Sequence, residues 1–217
     1  MAASEVPQSA AAYEQLREWI VVGELEPGSL VTERGLMAAT GFGKTPVREA
    51  LARLVSDRFV TPLPRRGYEI TPLTLADVDE LLELWRIVGP ATARLACVRN
   101  GPGVLAALGR PVRRMRNDLE AGRRFFGLLA DASGNERLVE ANRKLFQDLY
   151  RYFFLAYRDR APKDWLVDDL GAMRAALAAG DVEGAVAAYT RSIDHGAAEL
   201  HAILSTLPSV RRVPLTA

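Results

Sequence analysis

The chain has 217 residues, with 28 Lys and Arg against 27 Asp and Glu, so its formal net charge is +1. Hydrophobic residues make up 49% and charged residues 25%, which is globular chemistry and excludes intrinsic disorder. The length accommodates one or two domains with a buried core. One cysteine, Cys97, excludes a disulfide framework, and two histidines, His195 and His201, exclude a His-rich metal site.

Residues 1–8 read as a flexible arm, without the basic start and apolar run of a signal peptide. No run of about 18 apolar residues suggests a membrane span, so a cytoplasmic chain is expected. Residues 9–22 predict a helix with Tyr13, Leu16 and Ile20 on one face. Pro27-Gly28 ends the turn that follows. Thr32 is placed to cap a short helix reaching Ala39 and stopping at Gly41. The next helix is predicted from Pro46 to about Arg58, with Thr45 as its cap, Pro46 at the first helical position, and Val47, Leu51 and Leu54 facing inward. Phe59–Leu63 and Tyr68–Thr71 flank the turn Pro64-Arg65-Arg66-Gly67 and read as a small hairpin.

After Pro72 no further strand pattern is seen. Thr74 to Asp77 resembles a capping box. Helices are predicted over 74–98, 103–121, 123–132, 135–159, 164–179 and 181–206, with breaks at Asn100-Gly101-Pro102, Gly122, Ser133-Gly134-Asn135, Ala161-Pro162 and Gly180-Asp181. Pro90 should kink the first of them. The tail, 207–217, carries Pro208 and Pro214 and is expected to be loose.

The expected fold class is therefore mainly α. Residues 9–72 form a winged helix-turn-helix with a β-hairpin wing, and residues 73–206 form an antiparallel helical bundle. In the first module a recognition helix would present Lys44, Thr45 and Arg48 at its N-terminal end, where backbone N–H groups also favour phosphate. Arg65, Arg66 and Gly67 at the wing tip suit phosphates or a minor groove, with Gly67 allowing close backbone approach. Seven basic residues stand against three acidic ones between Thr32 and Arg66, a local net of +4 inside a nearly neutral chain. An ordinary solvated charged face is the competing reading of that stretch.

The run Arg34-Gly-Leu-Met-Ala-Ala-Thr-Gly-Phe-Gly-Lys-Thr-Pro-Val-Arg-Glu-Ala-Leu51, followed by Arg65-Arg66-Gly67-Tyr68, resembles the GntR family of bacterial transcriptional regulators. The resemblance implies DNA contacts from Arg34, Lys44, Thr45, Arg48, Arg66 and Gly67. Gly43 stands where Ser or Thr is usual, which removes a hydroxyl. Lys44 replaces the usual Arg, a point charge in place of a bidentate fork.

Leu75–Ala96, Leu129-Ala-Asp-Ala-Ser-Gly-Asn-Glu-Arg-Leu138 and Ala178-Ala-Gly-Asp-Val-Glu-Gly-Ala185 resemble the FadR-type (FCD) ligand-binding domain of the same family. Most such domains hold a divalent metal with one Asp and three His. The matching positions here are Gly122, Phe126, Leu170 and Ser192, so no metal and no cofactor is expected. His195 and His201, six residues apart, lie about 240° apart on a helix and cannot substitute.

The resemblance thus implies a homodimer that binds a pseudo-palindromic duplex operator, commonly as a repressor, and answers to a small-molecule effector. Candidate effector-binding residues are Trp85, Arg86, Phe126, Tyr150, Leu170 and Ser192. The alternative is a filled, effector-blind bundle. The aromatic run Tyr150, Tyr152, Phe153, Phe154 and Tyr157 also reads as bundle core or dimer surface, and Cys97 as a buried small hydrophobe. An enzyme is not expected, because no nucleophile–base pair and no paired carboxylates stand out. An interaction module remains the third reading.

Overall fold

The computed structural model describes residues 7–108, 119–158, 165–207 and 210–211. The chain divides into two compact units. The first runs to Thr74 and takes in the strand at Val210–Arg211; the second covers Leu75–Leu207.

The first unit is built on α1 (Gln8–Val21), α2 (Glu33–Thr40) and α3 (Lys44–Ser56). The predicted inward face of α1 is the observed one: Tyr13, Leu16 and Ile20 are buried against Val47, Leu51 and Leu54 of α3. Thr32 caps α2, its hydroxyl accepting from the Gly35 amide at 3.1 Å. Strands β2 (Val60–Leu63) and β3 (Gly67–Ile70) form the expected antiparallel hairpin. A third strand, β1 (Leu30–Val31), pairs with β3 and gives the order β1-β3-β2. Two residues carry no readable alternation, so β1 escaped the sequence pattern.

Three expectations are corrected here. Gly43, not Thr45, occupies the cap of α3, and it makes no side-chain cap bond. Pro46 is the third helical residue. Its missing N–H still costs nothing, because the first intrahelical bond runs from the Val47 amide to the Gly43 carbonyl. Finally, β4 (Leu73–Thr74) pairs in parallel with β5 (Val210–Arg211), so strand does occur after Pro72, and two residues of the tail are fixed by a ladder.

The second unit consists of α4 (Leu75–Leu108), α5 (Leu119–Ala132), α6 (Glu136–Tyr157), α7 (Trp165–Ala179) and α8 (Val182–Leu204). Asn135 and Asp181 cap α6 and α8 through their side chains. In α4 the backbone leaves helical dihedrals at Asn100, the expected break, rather than at Pro90. Helix α5 runs through Gly122 without a break. A lone glycine costs a helix about 1 kcal/mol, and this one is buried beside Leu166. The expected break at Ala161-Pro162, most of the arm 1–8, and much of the helix expected over 103–121 lie outside the described residues.

The core of this unit is largely aromatic. Trp85, Phe125, Tyr152 and Tyr189 are almost wholly buried. Helices α4 and α8 meet at Gly89, where a Cβ would stand 2.4 Å from Cε1 of Tyr189 and 3.1 Å from Cδ1 of Ile193. Buried polar groups pair across helices. The Tyr152 hydroxyl donates to Asp77 at 2.5 Å, and Asn142 Nδ2 donates to Thr92 Oγ1 at 3.0 Å. Cys97 is buried as expected, and burial pushes its thiol pKa up. Among the described residues no helix is long and apolar enough to cross a membrane.

Candidate nucleic-acid interface and ligand cavity

The two helices α2 and α3 are joined by Gly41–Gly43. Gly41 takes the left-handed conformation at φ 77°, and Thr40 Oγ1 both donates to the Leu36 carbonyl and accepts from the Phe42 amide. This tight turn brings the start of α3 to the surface. Lys44, Thr45 and Arg48 are all exposed there, while Val47, Ala50 and Leu51 of the same helix are buried. Because α3 begins at Lys44, the amides of Lys44 and Thr45 lack intrahelical acceptors by geometry. Arg34 is exposed on α2.

Arg48 is not free: its Nε lies 2.8 Å from Oε2 of Glu33, the first residue of α2. That pair holds the guanidinium on the outer side of the helix-turn-helix. Arg53, another of the seven basic residues, lies with its guanidinium carbon 3.8 Å from the ring centroid of Tyr13. Tyr13 in turn donates to Asp57 at 2.6 Å. Burial first, and the Asp57 carboxylate second, push the Tyr13 hydroxyl pKa up to about 12. Arg53 therefore serves the fold as well as the local charge, whereas Arg48 forms an exposed pair.

The wing turns over Leu63–Arg66, with the Arg66 amide donating to the Leu63 carbonyl at 3.0 Å. Arg65 has φ 63° and follows Pro64, the type II pattern. Arg65 and Arg66 are exposed at the tip. Gly67 is required for a reason internal to the sheet. It has φ 96°, and a Cβ there would stand 2.3 Å from the Val31 carbonyl oxygen of β1.

In the second unit, Trp85, Phe126, Tyr150 and Ser192, all candidates from the sequence, line one cavity. The space open to the centres of water-sized groups in it is about 40 Å³. Leu170 is fully buried but does not reach the cavity, whose α7 lining comes from Trp165 and Leu166, one turn earlier. Arg86 points elsewhere, its Nε 3.5 Å from Asp194 on α8. The reason is helical: Arg86 is rotated about 100° from Trp85, and Trp85 faces in.

Phe146, Phe153 and Tyr157 also line the cavity and were not chosen as ligand contacts. With Tyr150 they fall at spacings of four, three and four along α6, a stripe the sequence did contain. Tyr152 belongs to the buried face that meets Asp77. Trp85 is the hub: it meets Phe126, Phe146 and Phe153 edge-on, at centroid distances of 5.6, 5.4 and 6.2 Å. Its indole N–H donates to the Tyr189 hydroxyl at 3.2 Å. Burial raises the Tyr189 pKa, against a smaller opposing effect of that hydrogen bond, so the phenol stays neutral.

Three of the four positions where the resemblance places metal ligands, Gly122, Phe126 and Ser192, face this cavity. None carries an imidazole or a carboxylate, so the donor set does not fit a divalent metal. His195 and His201 do not converge on it. Nδ1 of His195 lies 2.7 Å from Asp169, and Nε2 of His201 lies 2.7 Å from Asp79.

Comparison with known proteins agrees with both halves. Residues 8–70 match the family described as bacterial regulatory proteins, gntR family, and residues 80–195 match the FCD domain. The chain is 35% identical over 96 residues to an uncharacterized HTH-type transcriptional regulator from the TAR-I ttuE-ttuC' intergenic region of Agrobacterium vitis, covering 44% of this chain and 56% of the relative. It is 36% identical over 72 residues to the uncharacterized HTH-type regulator YdhC of Bacillus subtilis, covering 33% of this chain and 32% of that one. The chain thus aligns with only a third to about half of the length of these relatives. Among solved structures, E. coli McbR/YncC shares the fold with a TM-score of 0.77 at 22% identity, covering 91% of this chain and 99% of that one. With its winged helix-turn-helix and its helical FCD domain, the chain belongs to the GntR family of bacterial regulatory proteins, whose members are transcriptional regulators and not enzymes.

Proposed function

We propose that the chain is a cytoplasmic transcriptional repressor that binds a pseudo-palindromic DNA operator as a homodimer and is modulated by a small-molecule effector held, without metal, in the second unit. The functional boundary is read at 72, with residues 9–72 binding DNA and 73–206 binding effector and partner. The observation that carries the DNA-binding half is the exposed set Lys44, Thr45 and Arg48 at the start of α3, together with Arg66 at the wing tip. An exposed helix start with cations suits a major groove, and a basic wing suits the flanking backbone. Arg34 adds a further cation on α2, and Gly67 keeps the wing compact at its tip.

Dimerisation is supported by α4. Leu84, Ile87 and Val98 are large apolar residues left exposed, Ile87 at 72% and Val98 at 66%. They fall within an arc of about 60° on the helix, and Leu84 and Val98 lie symmetrically about Ala91, so a two-fold pairing would set Leu84 against Val98 of a second copy. The cavity lined by Trp85, Phe126, Tyr150 and Ser192 supports the effector-responsive reading over the filled bundle. Regulation then requires that the effector bind the operator-competent and operator-incompetent forms with different affinity.

The test is a gel shift on an operator selected from random duplexes. Arg48→Ala should weaken specific binding by about 30-fold or more, because a dimer loses two base-reading forks. Arg66→Ala should lower the salt slope by about two, one phosphate contact per protomer. An unchanged shift with Arg48→Ala, or a wild-type affinity indifferent to salt, would reject the interface and favour protein–protein contact. Ile87→Glu should halve the mass measured by light scattering.

A further inference from the structure

Resting on the effector reading above, we propose that the cavity of the second unit selects a small neutral ring compound carrying one hydrogen-bonding group. The argument is an accounting of what the walls can offer. Aromatic faces and edges make up most of the lining, with Trp85 edge-on to three phenylalanines and Phe126 stacked on Phe146 at 5.3 Å and 14°. A ring inserted among them continues the same edge-to-face and offset contacts.

The polar groups of the walls are mostly engaged. The indole N–H of Trp85 is committed to Tyr189 and that of Trp165 to Glu199. Ser192 differs. It is fully buried, it lines the cavity, and its Oγ has no hydrogen-bond partner among the described residues. A buried hydroxyl without a partner is costly and rare, and here it stands where a ligand atom would complete it. A hydroxyl both donates and accepts, so a phenol, an amide or a carbonyl on the ring would serve.

Among the described residues the cavity wall carries one cation, Arg123. Arg123 reaches the lining from an exposed position, its guanidinium carbon 5.7 Å from the Tyr150 centroid, and Arg86 is turned to Asp194. A carboxylate taken in among the aromatic rings, beyond Arg123 at the exposed edge, would lose its hydration without a further cation among the described residues. Size sets the last limit. A space of about 40 Å³ for the centres of water-sized groups corresponds to about three waters, at roughly 10–15 Å³ each. A single substituted ring, with about seven heavy atoms, therefore enters only if side chains of the wall shift, and fused systems and long chains fit less well still.

The experiment uses the full chain in EDTA, titrated by calorimetry with phenol, toluene and benzoate. Phenol should bind saturably, benzoate at least about tenfold more weakly, and EDTA should change neither. Ser192→Ala should weaken phenol by about fivefold, the value of one net hydrogen bond, and leave toluene unchanged. The ligand series on the unaltered chain is informative even if that variant folds poorly. Benzoate binding more tightly than phenol, or phenol binding lost in EDTA, would overturn the ligand class while leaving the cavity as a ligand site. Equal weakening of phenol and toluene by Ser192→Ala would overturn the role of the hydroxyl. Binding of none of the three would remove the effector reading itself.

Discussion

The two units place their candidate binding groups on opposite sides of their own cores. In the winged helix-turn-helix, Lys44, Thr45, Arg48 and Arg66 are exposed, and the helices beneath them are held by other residues, Leu16, Val47, Leu51 and Leu54. In the second unit the candidate ligand contacts are the core: Trp85 is 2% exposed, Phe126 4% and Ser192 0%. The lesson is that recognition and stability are separable in the first unit and entangled in the second. A charged ligand as large as DNA is met by an outward face, whereas a small apolar one is met by side chains that would otherwise pack on one another.

The sharpest way to break this contrast is to truncate one group on each side. Trp85→Ala should cost about 3–5 kcal/mol in urea denaturation, because it removes the hub of the aromatic cluster. Arg48→Ala should stay within about 0.5 kcal/mol of wild type while losing operator affinity. If the two variants lost comparable stability, the separation of roles would fail.

A second comparison concerns glycines. Gly67→Ala should destabilise the first unit by about 1–3 kcal/mol, since the new Cβ meets the Val31 carbonyl and φ is 96°. Gly89→Ala should cost about as much in the second unit by overpacking, and it should also perturb phenol binding, because Tyr189, which it strikes, carries the Trp85 hydrogen bond. Circular dichroism melts with parallel titrations separate the two.

Smaller effects sharpen the first unit alone. Tyr13→Phe removes the bond to Asp57 and should cost about 1 kcal/mol. The unfolded chain releases the Tyr13 proton near pH 10, while the folded chain holds it to about 12. The stability Tyr13 contributes is therefore fully present below pH 10 and is lost as pH rises to about 12. In the phenylalanine variant that part of the alkaline loss should vanish. The smallest change is a gain: Arg58→Gly should stabilise by about 0.5–1 kcal/mol, because Arg58 takes φ 62° just after α3, where the Phe59 amide closes back on the Leu54 carbonyl.

Much of the first unit was legible in the sequence because its determinants are local. The cap at Thr32, the stop at Gly41, the apolar faces of α1 and α3, and the turn between β2 and β3 all follow from neighbours within a few residues. Cases that failed did so for equally physical reasons. Thr45 has the chemistry of a cap, but α3 starts one residue before it. Strand β1 is too short to show a period, and β5 exists only because a partner 137 residues earlier in the chain, at Leu73, receives it.

By itself, the sequence determined the order of helices, the winged helix-turn-helix and the locally positive segment, and its family resemblance implied that Gly122, Phe126, Leu170 and Ser192 stand where a His and Asp donor set is usual. Only the tertiary structure decided which of those groups share a space. It joined Phe126 and Ser192 to a stripe on α6 and turned Arg86 away from the cavity that Trp85 enters. It also paired Arg48 with Glu33 and left the Ser192 hydroxyl without a hydrogen-bond partner among the described residues. The reason is range. Periodicity and capping act over one or two turns of chain, whereas a cavity is defined by side chains from α4, α5, α6, α7 and α8 that meet only after the bundle has closed.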